Sequence, residues 1–132
     1  MRKTIIAFIF VLLMFSSICA AAGTEYLYTD SLGAKVYLET ASVKPITFKI
    51  WDCYKATTKL EFNKPLGNIT YTKMYYLINK QNKDYAIVYI ENYDINDKLI
   101  STVEKAENIK WDKYDKKNDN YKLVDRVFEI TK

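Results

Sequence analysis

The stretch from Thr70 to Val103 constrains this chain most: TYTKMYYLIN, KQNK, DYAIVYIENY, DIND and KLISTV follow one another. These are three apolar-aromatic runs separated by two short polar breaks. Tyrosine, valine and isoleucine suit a pleated, half-buried surface, and asparagine and aspartate in the breaks are turn formers. The pattern predicts an antiparallel three-stranded meander. Alternation along a strand puts Thr72, Met74, Tyr76 and Ile78 on one face of its first strand and Tyr71, Lys73, Tyr75 and Leu77 on the other. The second strand is apolar on both sides, with Ala86, Val88 and Ile90 on one and Tyr85, Ile87, Tyr89 and Tyr93 on the other. Such a strand belongs inside a sheet covered twice.

One cover is legible at the end of the chain. In Asn120–Ile130, Leu123, Val127 and Ile130 recur at helical spacing with Val124 and Phe128 beside them, while Lys122, Asp125, Arg126 and Glu129 fall opposite. Asn118 is the expected N-cap. A helix this short persists only by packing on something else. Upstream of the meander, Glu25–Thr29 and Lys35–Leu38 read as short strands around an Asp30–Gly33 turn. Ile46–Lys55 reads as one long strand with Ile46, Phe48, Ile50 and Tyr54 facing the core and Lys49, Trp51, Cys53 and Lys55 facing away. Ala56–Ile69 is polar, with a Pro65-Leu66-Gly67 break, and reads as a loop. Glu104–Lys117 is a polar connection anchored by Ile109, Trp111 and Tyr114. The fold expected is α+β: a single antiparallel sheet of five to six strands, a meander, with one C-terminal helix packed on one face.

The N-terminus reads as an export signal. Arg2 and Lys3 precede the apolar run Ile5–Phe15, and small residues lead to Ala20-Ala21-Ala22. The expected domains are a signal peptide over 1–22 and one α+β domain over 23–132, with cleavage after Ala22 or, second, Ala21. The apolar run is shorter than the ~20 residues a membrane span needs, so no transmembrane segment is expected after cleavage. Ile18 before Cys19 argues against lipidation. Cleavage takes Arg2 and Lys3 with it and lowers the formal net charge from +4 to +2, a balance that suits solubility rather than nucleic acid. It also leaves Cys53 as a lone thiol, read as a buried, inert side chain. The location expected is outside the cytosol: periplasm, cell surface or extracellular space.

Several chemistries lack their residues. The chain has no histidine, which removes Ser-His-Asp and Cys-His catalysis and the usual zinc sites. Three glycines in 132 residues form no phosphate loop. Paired carboxylates remain the one catalytic route, but Asp94 and Asp97 flank a turn, and Asp112, Asp115 and Asp119 share a loop, so they read as solvated. No enzyme, cofactor or metal is expected. The positive signal is tyrosine: all twelve lie beyond residue 22. Most are strand formers, yet tyrosine and tryptophan are also the residues of interface hot spots. Both faces of the meander bear them, and one short helix cannot cover both. The candidate interaction surface is therefore Tyr71, Tyr75, Tyr85, Tyr89 and Trp51.

Four segments carry a resemblance: Tyr37-Leu38-Glu39-Thr40-Ala41-Ser42-Val43, Phe48-Lys49-Ile50-Trp51, Tyr93-Asp94-Ile95-Asn96-Asp97-Lys98-Leu99-Ile100-Ser101, and Trp111–Asn118 before the helix. In this order they make the chain similar to the surface-adhesin protein E family over most of residues 23–132. It departs in three places: Asp97 stands for the turn glycine, Lys116 for a proline, and Asn79 and Phe128 for the family's cysteine pair. Losing such a bridge forfeits roughly 2–4 kcal/mol, which the aromatic core must supply. The resemblance implies an exported, non-enzymatic binding or adhesion module with a protein partner, host extracellular-matrix proteins being typical of the family. It transfers no contact residue. A periplasmic inhibitor or accessory subunit of an envelope complex is the alternative, and a homodimer through the tyrosine surface stays open.

Overall fold

The computed structural model describes residues 23–132; the expected export signal and Cys19 lie outside the described residues. Six strands, β1 (Thr24–Thr29), β2 (Lys35–Phe48), β3 (Trp51–Leu66), β4 (Ile69–Asn79), β5 (Tyr85–Tyr93) and β6 (Leu99–Glu104), are followed by one helix, α1 (Tyr121–Ile130). They form a single antiparallel sheet in sequence order, β1 to β6. This is the α+β meander with a C-terminal helix that the pattern predicts.

The helix fixes one face of the sheet. Leu123, Val124 and Val127 are fully buried and join Leu38, Ala56, Tyr76, Ile78 and Tyr85 in one core, with Tyr54, Met74, Ile87, Phe128 and Ile130 packed around it. The helical spacing of its apolar residues therefore produces the contact it implied. Its N-cap is Asn120 rather than Asn118. The Asn118 Oδ1 instead accepts the Asn120 N–H at 3.1 Å, a local turn that frees Asn120 to reach the sheet. There Asn120 Oδ1 accepts the Tyr28 hydroxyl at 2.6 Å, and its Nδ2 donates to the Tyr85 hydroxyl at 3.3 Å. Phe128, where the resemblance implies one cysteine, packs edge-on to Tyr54 with ring centroids 5.4 Å apart. Asn79, where it implies the other, holds the β4–β5 turn by accepting the Gln81 N–H at 2.8 Å.

Two expectations about the middle of the chain are corrected. Ile46–Lys55 is not one strand: it breaks at Lys49-Ile50, and Phe48 pairs with Trp51 across the turn. Lys49 takes φ +54° there, a left-handed position uncommon for a side-chain-bearing residue, and Ile50 is 88% exposed at the tip. Reversal carries Ile46 and Phe48 away from the core and leaves Tyr54 in it. Residues 56–69 are not a loop either. Ala56, Thr57 and Thr58 are buried in β3, which is laddered to β2 on one side and β4 on the other. Backbone pairing on both edges overrides polar composition, and β-branched threonine fits a pleated position. The chain reverses only at Gly67-Asn68, with Gly67 at φ +58°.

Bulges set the faces. In β2, Thr40–Val43 stand opposite Ala56 alone, between the pairs Glu39–Thr57 and Lys44–Lys55. The Ser42 hydroxyl accepts the Thr57 N–H at 2.8 Å and so satisfies a donor the ladder leaves over. In β5, Val88 is the extra residue between Ile87–Tyr76 and Tyr89–Tyr75. Alternation therefore changes phase within β5. Tyr85 and Ile87 face the helix, whereas Tyr89 and Tyr93 face the other way, which corrects their expected common face. Nor is β5 covered twice: α1 is the only helix among the described residues and lies on one face.

Replacing Leu123 with Ala should cost roughly 2–5 kcal/mol, read as a lower urea midpoint with an unchanged slope. Ile50→Ala at the turn tip should shift stability by less than about 0.5 kcal/mol. A comparable loss at Ile50 would return that residue to the core.

Candidate functional site: the uncovered aromatic face

Strand alternation sends Cys53, Lys55, Thr57, Lys59 and Glu61 of β3 to the face opposite the helix, together with Tyr71, Lys73, Tyr75 and Leu77 of β4. Tyrosines meet there in cross-strand pairs. Tyr71 stacks on Tyr93 with centroids 4.8 Å apart and planes 10° from parallel; Tyr75 lies 5.5 Å from Tyr89, and Tyr26 meets Tyr37 edge-on at 5.8 Å. Directly opposed aromatic pairs are a unit of sheet stability, so each ring has a structural role. Among these, however, Tyr71, Tyr75, Tyr89 and Tyr93 remain only half-buried.

Polar side chains lock the rings in place. The Tyr75 hydroxyl donates to Glu91 Oε1 at 2.6 Å and the Tyr93 hydroxyl to the same oxygen at 3.1 Å. Lys59 Nζ sits 4.4 Å from the Tyr71 ring centre and 3.2 Å from Glu61, and Lys73 is 3.1 Å from Glu39. Burial, then the hydrogen bond to Glu91, pushes the Tyr75 phenol well above its ordinary value. Burial, then Asp97, pushes Tyr71 up to about 12.

A groove of about 410 Å³ opens on this face. Its lining includes Leu77 and Tyr75 of β4, Val88 and Tyr89 of β5, and Ile46 and Phe48 of β2. The β5 bulge supplies both Val88 and Tyr89, since the extra residue leaves two successive side chains on one side. The size suits a small-molecule site or a single anchoring side chain. A larger hollow, about 630 Å³, lies between the Gly67-Asn68 turn and the β5–β6 turn. Its apolar lining includes Ile95, Leu99 and Ile100, all exposed on the surface.

Of the five residues singled out from sequence, the structure brings Tyr71, Tyr75 and Tyr89 together. Tyr85 is not with them: at 3% exposure it is buried in the core under α1, because the Val88 bulge separates its face from that of Tyr89. Trp51 stands apart near the β2–β3 turn, stacked on Phe48 at 6.5 Å and edge-on to Trp111 at 5.4 Å. Residues that sequence reasoning missed are Tyr93, placed with Tyr85 by unbroken alternation, and Ile46 and Phe48, assigned to the core by the unbroken strand. A positive-φ turn at Lys49 leaves no glycine or Asn-Gly signature to find.

The other sequence candidates stay dispersed. Asp94 accepts the N–H groups of Asn96 and Lys98 at 2.8 and 3.0 Å and so builds the β5–β6 turn. Asp115 accepts the Lys117 N–H at 2.9 Å. Among the described residues no three His, Cys, Asp or Glu side chains gather as a metal-binding group. Cys53 is buried with its thiol pushed up, first by burial and then by Asp52. No helix of the described residues is long and apolar enough to cross a membrane. No family model, curated protein or solved structure matches the chain.

Raised phenol values make the fold sensitive to alkali. Burial leads the causes at Tyr28, Tyr71, Tyr75 and Tyr76, and Tyr28 reaches about 12. A phenol raised by folding stabilises the native state fully below its unfolded value of about 10. That stability falls as pH climbs from there through the folded value, since the native state then holds more protons than the unfolded one. Circular dichroism should therefore report unfolding above about pH 10, together with tyrosinate absorbance. Tyr76→Phe should move the alkaline midpoint upward. Tyrosinate formation with a sheet signal that never falls would contradict this.

Proposed function

We propose that the chain is an exported, non-enzymatic binding module that engages a protein partner through the face opposite α1, as its resemblance to surface-adhesin protein E implies. One observation carries the reading: the six-stranded sheet is packed by a helix on one side only, and its other side presents rigid, half-exposed tyrosine pairs. Tyrosine offers large contact area at low entropic cost, and here hydroxyl bonds and stacking have already fixed the rings. Binding then needs little further ordering. The Lys59, Lys73, Glu39 and Glu61 ion pairs around the rings supply a polar rim, the arrangement of a non-obligate interface.

Residues 23–132, immobilised and exposed to purified extracellular-matrix proteins, should retain a partner. The double substitution Tyr71→Ser with Tyr93→Ser should weaken that binding by at least about ten-fold, the scale of hot-spot truncation. Tyr85→Phe, on the core face, should leave it unchanged. Protease treatment of intact cells should release the domain; its protection would move the partner to the envelope interior. Binding indifferent to Tyr71 and Tyr93 would refute the assignment of the face.

A further inference from the structure

Two pairs of lysines stand directly opposite each other on the uncovered face. Lys59 faces Lys73 across β3 and β4, and Lys44 faces Lys55 across β2 and β3. Like charges at directly opposed positions destabilise a ladder. The first pair is neutralised, Lys59 by Glu61 at 3.2 Å and Lys73 by Glu39 at 3.1 Å. The second is not: among the described residues neither Lys44 nor Lys55 forms a salt bridge. Both line the apolar groove. Glu39, opposite Thr57 and two positions along from Lys55 in the register, is already engaged with Lys73.

We infer that this groove binds a single-chain anionic amphiphile of the fatty-acid class. Its carboxylate sits between Lys44 and Lys55, and its hydrocarbon tail lies along Ile46, Phe48, Leu77 and Val88. The head group supplies the negative charge that this lysine pair lacks and the other possesses. The tail covers apolar surface of Ile46, Phe48 and Val88 that the chain leaves partly open, a gain proportional to the area removed from water. Volume, mainly apolar lining and a few convergent polar groups meet the description of a small-ligand site. The inference goes beyond a protein partner and is separable from it, because Tyr71 and Tyr93 line no part of the groove.

The test titrates residues 23–132 with dodecanoate below its micelle-forming concentration, read by tryptophan fluorescence and backbone amide shifts. The expected result is saturable one-site binding, with shifts centred on Ile46, Leu77 and Val88. Dodecyltrimethylammonium should bind roughly ten-fold more weakly or worse, the worth of one or two charge-assisted contacts, and acetate should not bind. Lys44→Gln with Lys55→Gln, both exposed and outside the core, should lower dodecanoate affinity by a similar factor without weakening the cationic probe. The double variant should also denature at a higher urea concentration than the parent when no ligand is present. Equal binding of both head groups, indifference to the lysine substitutions, or binding only to phosphatidylglycerol vesicles would overturn the proposal. Loss of matrix-protein binding on Tyr71 and Tyr93 substitution with dodecanoate binding intact would show the two activities to be independent.

Discussion

Leu123, Val124 and Val127 press on Leu38, Ala56, Tyr76 and Ile78, and this contact between the last element and the middle of the sheet organises the remainder of the fold. A ten-residue helix has little stability of its own, and among the described residues one face of the six strands has no other helix to bury it. Each supplies what the other lacks. The contact is also one-sided. It selects which set of alternating side chains becomes core and leaves much of the complementary set, Tyr71, Tyr75, Val88 and Tyr89 among them, to half-exposure.

The β5 bulge makes that selection possible for a strand apolar on both sides. Without Val88 as an extra residue, Tyr85, Ile87, Tyr89 and Tyr93 would share one face, and the helix would have to bury four large side chains along a single strand. With it, Tyr85 and Ile87 fill the core, and Tyr89 and Tyr93 pair with Tyr75 and Tyr71 on the far side. A bulge is a conformational cost accepted where it re-aims side chains. Here it brings Val88 and Tyr89 to the groove and completes the tyrosine stack in a single step.

This explains what sequence could and could not show. Periodicity of 3.6 at Leu123, Val127 and Ile130 needs only local spacing, and alternation in β4 runs unbroken, so the helix, the meander and the pair Tyr71 and Tyr75 were legible. Faces beyond a phase change were not. A bulge leaves no compositional trace when its extra residue is valine, an ordinary strand former. The turn at Lys49-Ile50 likewise carries neither glycine nor Asn-Gly, although Lys49 adopts a positive φ. Residues 56–66 read as loop because of their polar content and the Pro65-Leu66-Gly67 break, yet pairing on both edges over Thr57–Glu61 makes them part of the longest strand, β3. Conversely, Asp97 occupies a left-handed position at φ +60°, which fits the glycine that the resemblance implies there; aspartate is among the few side-chain-bearing residues that tolerate it.

Consistency between local choices and the global fold is what makes a sequence fold to one structure, and departures from it concentrate where function lies. Most local conflicts in this chain have a visible resolution. Asn120 satisfies the hydroxyls of Tyr28 and Tyr85, Ser42 takes up the amide of Thr57, and Glu39 and Glu61 offset Lys73 and Lys59. Among buried side-chain oxygen and nitrogen atoms of the described residues, none lacks a hydrogen-bond partner. Against that background an opposed lysine pair with no carboxylate, at the mouth of an apolar groove, is a conflict the fold retains rather than resolves. Solvent screening lowers its cost but gives no reason for its position. An anion that enters from outside gives one, and the groove beside it limits what that anion must be attached to.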